Sequence, residues 1–123
     1  MSPIQECEYS QVARFRSAAA KERVCLKPTA NTRWFRYGEE GCAGLLTLNN
    51  GAARIKGVFV DQSRRREGIG TAITEFLIQT AQEAGCKSLE AYAWNPAWYQ
   101  ERGFTAVGKN AAGAVRMRKE LAR

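Results

Sequence analysis

The sequence predicts a mixed α/β fold: a mostly antiparallel central sheet, in the order β-α-β-β-β-α-β-α-β-β, with one parallel βαβ crossover. Three observations carry this. Three strand-like runs, Arg33 to Tyr37, Gly41 to Leu48 and Ala52 to Val60, are separated only by the turns Gly38-Glu39-Glu40-Gly41 and Asn49-Asn50-Gly51, and joints that short make an antiparallel meander. The third run feeds a glycine-bearing turn that opens a helix, and a further strand follows that helix. A strand joined to the next strand through a helix is a right-handed parallel crossover. The last stretch folds back on itself around Asn110-Ala111-Ala112-Gly113.

Taken in order, Ile4 to Tyr9 forms a first strand, and Ser10 is placed to cap a helix over Gln11 to Arg23 with Val12, Phe15 and Ala19 on its inner face. Lys27 to Thr32 carries proline and small polar residues and reads as loop. After the meander, the central helix spans about Thr71 to Ala84. Ile73, Phe76, Leu77, Ala81 and Ala84 fall at the spacing of one buried face, and Gly85 ends it. Lys87 to Trp94 alternates, with Leu89, Ala91 and Ala93 on one side and Ser88, Glu90, Tyr92 and Trp94 on the other. Pro96 to Arg102 is a short helix with proline in its first turn. Phe104 to Val107 and Ala114 to Leu121 pair as the closing hairpin.

At 123 residues, 45% hydrophobic and 25% charged, the chain is expected to be one domain over residues 1–123. Met1 to Glu8 has neither a basic nor an apolar leader region, and no run nears the roughly 20 apolar residues of a membrane span. A cytoplasmic protein, monomer or homodimer, is the expectation. The chain has no histidine, which excludes histidine-based acid–base catalysis and the usual zinc sites, and no bound metal is expected. Cys7, Cys25, Cys42 and Cys86 contain no Cys-x-x-Cys pair and read as reduced, mostly buried thiols. The net charge of +7 is spread over both halves of the chain. It suits an anionic cofactor or a polyanion such as nucleic acid.

The chemistry concentrates at Val58 to Ile73. Gly68-Ile69-Gly70 opens a helix, and the first N–H groups of a helix lack internal partners and face a favourable dipole for anions. Glycines let the backbone approach a phosphate closely, and Arg64, Arg65 and Arg66 add charge-assisted donors.

With these elements placed, two motifs stand out. Arg65-x-x-Gly68-x-Gly70, with Val60 five residues upstream, matches the Arg/Gln-x-x-Gly-x-Gly/Ala pyrophosphate loop of the GNAT superfamily of acetyl-CoA-dependent N-acetyltransferases. Trp98-Tyr99-x-x-x-Gly103-Phe104, 31 residues on from Gly68 to Tyr99, matches that superfamily's aromatic-Tyr-x-x-x-Gly-Phe signature. The chain resembles a GNAT domain over nearly its whole length. The resemblance implies a sheet splayed at the parallel pair to admit acetyl-CoA as cosubstrate. It implies backbone amides of Arg66, Glu67, Gly68, Ile69, Gly70 and Thr71, with the Arg65 side chain, on the pyrophosphate. Phe59 and Val60 would pair with the pantetheine arm, Asn95 would stand beside it, and Tyr99 would reprotonate the departing thiolate as general acid. The amine would attack the thioester directly.

Departures from the pattern shape what else is expected. Gln62 and Arg66 stand where the family often has proline and glycine. Arg54 and Lys56 occupy the strand that often carries a glutamate base, so Glu39, Glu40, Glu90 or water must take the proton. Arg33, Trp34, Arg54, Lys56, Tyr92 and Trp94 singly read as core or sheet-face residues; together they would make a basic cleft with stacking surfaces. That cleft suggests an amine borne on a polyanion, such as a modified base in phage DNA. The alternatives are a small-molecule or protein lysine or N-terminal acetyltransferase, and a non-catalytic module binding acyl-CoA or nucleic acid.

Overall fold

A computed structural model of the chain describes residues 3–48 and 50–121. Its strands are β1 (Ile4–Cys7), β2 (Thr32–Tyr37), β3 (Gly41–Thr47), β4 (Ala52–Val60), β5 (Ser88–Ala93), β6 (Thr105–Lys109) and β7 (Val115–Glu120). They form one sheet in the order β1-β2-β3-β4-β5-β7-β6. Every pairing is antiparallel except β4 with β5. The helices are α1 (Arg16–Lys21), α2 (Ile69–Glu83) and α3 (Pro96–Gln100). No described helix is long and apolar enough to cross a membrane.

The two faces of the sheet are unlike. α2 lies on one, burying Ile69, Ile73, Leu77 and Ala81 against Phe35, Leu45, Ile55, Leu89 and Met117. On the other face a smaller cluster of Val12, Phe15, Ala19, Leu26, Trp34, Cys42 and Phe59 sits under α1 and the turns before it. Over β5 and β7 that second face stays open, and Tyr92 and Trp94 are among its exposed aromatic side chains.

The first predicted helix is the main difference from expectation. Gln11 to Arg23 is broken into single 3-10 turns at Tyr9–Gln11 and Ala13–Phe15, with α-helix only from Arg16. Ser10 falls inside the first turn and caps nothing; Glu8 holds the N-cap position, without a side-chain bond. The predicted first strand ends at Cys7 because Tyr9 turns away, its ring edge-on to Trp34 at 5.1 Å and its hydroxyl donating to the Leu26 carbonyl. Val12 and Phe15 are buried as expected, since i, i+3 spacing suits a 3-10 turn as well as an α-helix.

Elsewhere the boundaries move by one or two residues. Asn49, first residue of the predicted Asn-Gly turn, lies outside the described residues; in the rest of that turn the Asn50 side chain accepts from the Ala52 N–H. All four cysteines are free, but only Cys42 is buried; Cys25 is exposed and the other two lie between. Burial pushes the Cys42 thiol up to about 12.

Two irregularities shape the middle of the sheet. β4 pairs with β5 only from Ala52 to Ile55, and opposite β3 its register slips so that Lys56 is an extra residue between Ile55 and Gly57. Such a bulge bends a strand and increases its twist. Beyond it, Val58 to Val60 diverge from Tyr92 and Ala93, and a wedge opens between two strands that began as a ladder.

Candidate active site

The wedge is one wall of a cavity of about 530 Å³. Its floor is Val58, Phe59 and Val60 on β4 and Tyr92, Ala93 and Trp94 at the end of β5; its far end is the loop from Arg64 to Thr71. Asn95, Trp98, Tyr99 and Arg102 close one side, and Glu22, Arg23 and Val24 the other.

The loop is shaped by short local bonds. Asp61 accepts from the Ser63 hydroxyl and from its backbone N–H, which holds the Asp61 carboxyl below its ordinary range and fixes a 3-10 turn over Gln62–Arg64. Gly68 is the N-cap of α2 with φ +83°, a conformation that costs an L-residue about 1–2 kcal/mol and glycine almost nothing. α2 therefore begins two residues earlier than predicted, at Ile69. Its first internal bond, Ala72 N–H to the Gly68 carbonyl, leaves the N–H groups of Ile69, Gly70 and Thr71 without helical acceptors at the cavity end. A Cβ at Gly68 would meet nothing within 4 Å, and one at Gly70 would touch Trp98 at 3.5 Å and Val60 at 3.6 Å.

The loop arginines divide by role. Arg64 is bound to Glu67 and Glu40. Arg65 donates to the Val60 carbonyl at 3.1 Å and to the Glu22 carboxylate at 2.5 and 2.6 Å. Arg66 is exposed, has φ +66°, and has no ion-pair partner among the described residues.

Tyr99 sits on α3, its ring edge-on to Trp98 at 5.0 Å and to Phe104 at 5.3 Å. Burial pushes its phenol up to about 12, against a smaller opposite pull from Arg102. The hydroxyl thus carries its proton throughout the neutral range. Asn95, N-cap of α3, makes no side-chain capping bond and faces the cavity. Of the expected cofactor residues, Phe59, Val60, Arg65, Arg66, Gly68, Ile69, Gly70, Thr71 and Asn95 all line the cavity, as does Tyr99. The Glu67 side chain instead faces Arg64.

The six residues of the expected basic cleft do not stay together. Arg33 lies on the α2 face of the sheet, beside Phe35 and bidentate on Glu6 at 2.8 and 3.0 Å. Its neighbour Trp34 points the opposite way, as strand alternation demands, and is buried under Tyr9 rather than presented for stacking. Arg54, Tyr92 and Trp94 share the open face; Tyr92 and Trp94 line the cavity, and the Arg54 guanidinium lies 5.1 Å from the Tyr92 ring centre. Lys56 occupies the β4 bulge.

None of the three carboxylates considered as bases reaches the cavity. Glu39 pairs with Arg14 and Arg36, and Glu40 with Arg64. Glu90 is held by Arg54, Arg116 and Arg118. Burial pushes the Glu90 carboxyl up, but hydrogen bonds from Arg116 and Arg118 outweigh it and leave the group below its ordinary range. The carboxylate that does line the cavity is Glu22.

Sequence reasoning missed Glu22, Arg23 and Arg102. Arg102 donates to the Trp98 carbonyl at 2.6 Å and to the Thr71 hydroxyl at 2.5 Å, tying α3 to the start of α2. Its place four residues after Trp98 was a readable i, i+4 signal. Nothing in the sequence joins Glu22 to Arg65, 43 positions away.

The family model described as an acetyltransferase (GNAT) domain matches residues 13–106. Among solved structures, the chain is similar to a GNAT-family acetyltransferase from Staphylococcus aureus, with TM-score 0.77 and 16% identity over 97% of this chain and 98% of that one. It is also similar to N-acetylglutamate synthase from Neisseria gonorrhoeae complexed with coenzyme A and N-acetyl-glutamate, with TM-score 0.79 and 17% identity over 98% of this chain but 35% of that one. A Mycobacterium tuberculosis protein in complex with CoA gives TM-score 0.77 and 18% identity over 97% of this chain and 99% of that one. At such identities the likeness is one of fold.

Proposed function

This chain belongs to the GNAT acetyltransferase family, and on that footing we propose that it moves an acetyl group from acetyl-CoA to a primary amine by direct attack. The observation that carries the reading is a single cavity joining a free helix N-terminus, a split parallel strand pair and a protonated tyrosine. The N–H groups at the start of α2, with Arg65 and Arg66, hold the pyrophosphate. The Val60 N–H faces the wedge in place of a β5 partner, with Asn95 beside the pantetheine, and polarises the thioester carbonyl. The backbone of Phe59, expected beside it, is instead turned to Cys42 of β3, and the Val60 carbonyl is taken by Arg65.

In the chemical step the neutral amine nitrogen attacks the carbonyl carbon. A C–N bond forms, the C–S bond breaks, and the sulfur takes the Tyr99 hydroxyl proton. Water takes the amine proton, because the cavity carboxylate, Glu22, is already engaged by Arg65. The acceptor is an amine on an anionic carrier, since the acceptor side of the wedge is flanked by Arg54 and by Arg23, which stacks on Trp94 at 4.7 Å. With Arg33 and Trp34 elsewhere, a nucleic-acid carrier has less support than the sequence suggested.

Acetyl-CoA at a hundred times its dissociation constant stabilises a one-site protein by about 2.7 kcal/mol, so a clear rise in melting temperature is expected. Thiol release follows when a competent amine is added. No melting shift would remove acetyl-CoA from the reading; a shift without thiol release from any amine would leave a non-catalytic binding module.

A further inference from the structure

The open face of the sheet carries a cluster that acetyl transfer, as described, does not use. Glu90 on β5 is 2% exposed, and its two oxygens are shared by three arginines. Arg118 approaches to 3.0 Å, Arg116 gives two N–H donors at 3.3 Å, and Arg54 stands at 3.8 Å. A buried carboxylate needs a partner, but one arginine would neutralise it. Here two positive charges are surplus, on side chains 30%, 39% and 35% exposed for Arg54, Arg116 and Arg118. The Nε atoms of Arg54 and Arg118 are buried without a hydrogen-bond partner among the described residues, so an anion would be met by the exposed ends of these side chains.

Tyr92 joins this cluster to the cavity. It lines the wedge, faces Arg116 across the β5–β7 ladder, and lies beneath the Arg54 guanidinium. An acceptor whose amine reaches into the wedge over Tyr92 lays the rest of its length across the arginines. A guanidinium fork matches a carboxylate or phosphate edge with two parallel hydrogen bonds.

We propose that Arg54, Arg116 and Arg118 are the acceptor's anion subsite, and that the acceptor is a small amine carrying a carboxylate or phosphate. Glu90 is the buried positioning residue that gathers the three guanidiniums, not the base. The proposal rests on the acetyl-transfer reading for the identity of the acceptor, though not for the existence of the anion site.

The test offers amines in matched pairs to the full chain with acetyl-CoA: an amino acid and its carboxamide, an aminoalkyl phosphate and its amino alcohol. The carboxamide has the more easily deprotonated amine, so a preference for the acid cannot come from amine basicity. The charged member of a pair is expected to have at least tenfold higher kcat/KM, and whether the carboxylate or the phosphate pair shows it identifies the anion. Arg116→Gln, at the most exposed of the three, is expected to cut the charged-to-neutral ratio at least tenfold. An unchanged ratio, or preference for the neutral member, overturns the proposal.

Glu90→Gln is expected to raise KM for the charged acceptor several-fold and leave KM for its neutral partner in place, since the three guanidiniums lose the carboxylate that gathers them; loss of kcat on every acceptor would make Glu90 the base instead. An arm without turnover separates the two readings. Glutarate or inorganic phosphate, at constant ionic strength, should raise the melting temperature of the wild type by an increment that Arg116→Gln loses, over any shift common to both from the proposed phosphate site at the start of α2. Equal shifts overturn the subsite, whereas absence of thiol release beside a lost shift overturns only acetyl transfer. A single-stranded oligonucleotide that displaces the small anion at lower concentration would give the arginines to nucleic acid and overturn the small acceptor.

Discussion

Arg66 holds φ +66° at the position where the family often has glycine. The left-handed region costs an L-residue about 1–2 kcal/mol, while glycine returns about 0.5–1 kcal/mol through its looser unfolded chain. Arg66→Gly is therefore expected to stabilise the protein by up to about 1 kcal/mol in urea unfolding. It should also weaken acetyl-CoA binding, because a guanidinium without an ion-pair partner among the described residues is lost from the mouth of the proposed phosphate site. Tightened or unchanged affinity would assign Arg66 no part in binding. Tyr99→Phe separates chemistry from binding in the other direction. It removes one oxygen from a packed aromatic cluster, so acetyl-CoA affinity should hold while kcat falls by about 10²–10⁴, the usual worth of a placed general acid. The pH profile follows from the same phenol, at about 12 in the fold against about 10 unfolded. Its proton is present below pH 10, so the rate should rise with acceptor deprotonation and then stay level to about pH 10, with no falling limb from Tyr99. The stability that goes with that raised value is complete below about pH 10 and is lost as pH climbs toward 12. A rate that falls through pH 8 to 9 would show that a different acid donates. That Arg65, Gly68, Gly70 and Tyr99 line one cavity was legible because residue type at fixed spacing marks them; Arg102 and Glu22 reach it only through folded contacts.

The elements that read well from sequence were those whose burial face and punctuation agreed. α2 had a 3.6-residue apolar period and glycines at both ends, and Gly68 and Gly85 do take positive φ there. The closing turn had Asn110, whose side chain accepts from the Ala112 and Ala114 N–H groups. The N-terminal helix failed because Val12, Phe15 and Ala19 fit an apolar face without fixing which helical hydrogen bonds close it. The insertion of β7 between β5 and β6 could not be read either, since a hairpin can dock by either strand. It matters for the site, because it sets Arg116 and Arg118 beside Glu90. The bulge in β4 was equally silent, although Gly57 beside it is a trace. A Cβ there would stand 2.8 Å from Val24 Cγ1 and 3.2 Å from Leu26 Cδ2, so glycine is what lets the chain after α1 lie against the bent strand. Gly57→Ala should then cost about 1–3 kcal/mol, the range of overpacking. Since Val24 lines the cavity, acetyl-CoA affinity should fall with it. A variant as stable as wild type in urea would show that the 24–26 segment moves freely and does not shape the wedge.

At the scale of the whole molecule, two neighbouring contacts tie one segment across the cavity mouth. Glu22, just past α1, grips Arg65 of the loop before α2, and on its other side Arg23 rests on Trp94 of the β5 end. Two adjacent residues thus tie the covering segment to both rims of the wedge. If Arg65 holds the pyrophosphate as proposed, it cannot give the same N–H donors to Glu22, and the carboxylate then competes with the cosubstrate. The size of that competition is bounded. Both side chains are about 40% exposed, and exposed ion pairs contribute about 0–1 kcal/mol, so freeing Arg65 is worth at most about fivefold in affinity. Glu22→Gln is accordingly expected to tighten acetyl-CoA by two- to fivefold in calorimetric titration, and the advantage should shrink as added salt screens the pair. Stability without ligand should drop by less than about 1 kcal/mol. The kinetics decide what else Glu22 does: if water takes the amine proton, kcat is unchanged in the variant. If kcat falls tenfold or more while acetyl-CoA binds more tightly, the carboxylate leaves Arg65 during turnover and serves as the base, and the ion pair is then the resting position of a catalytic group.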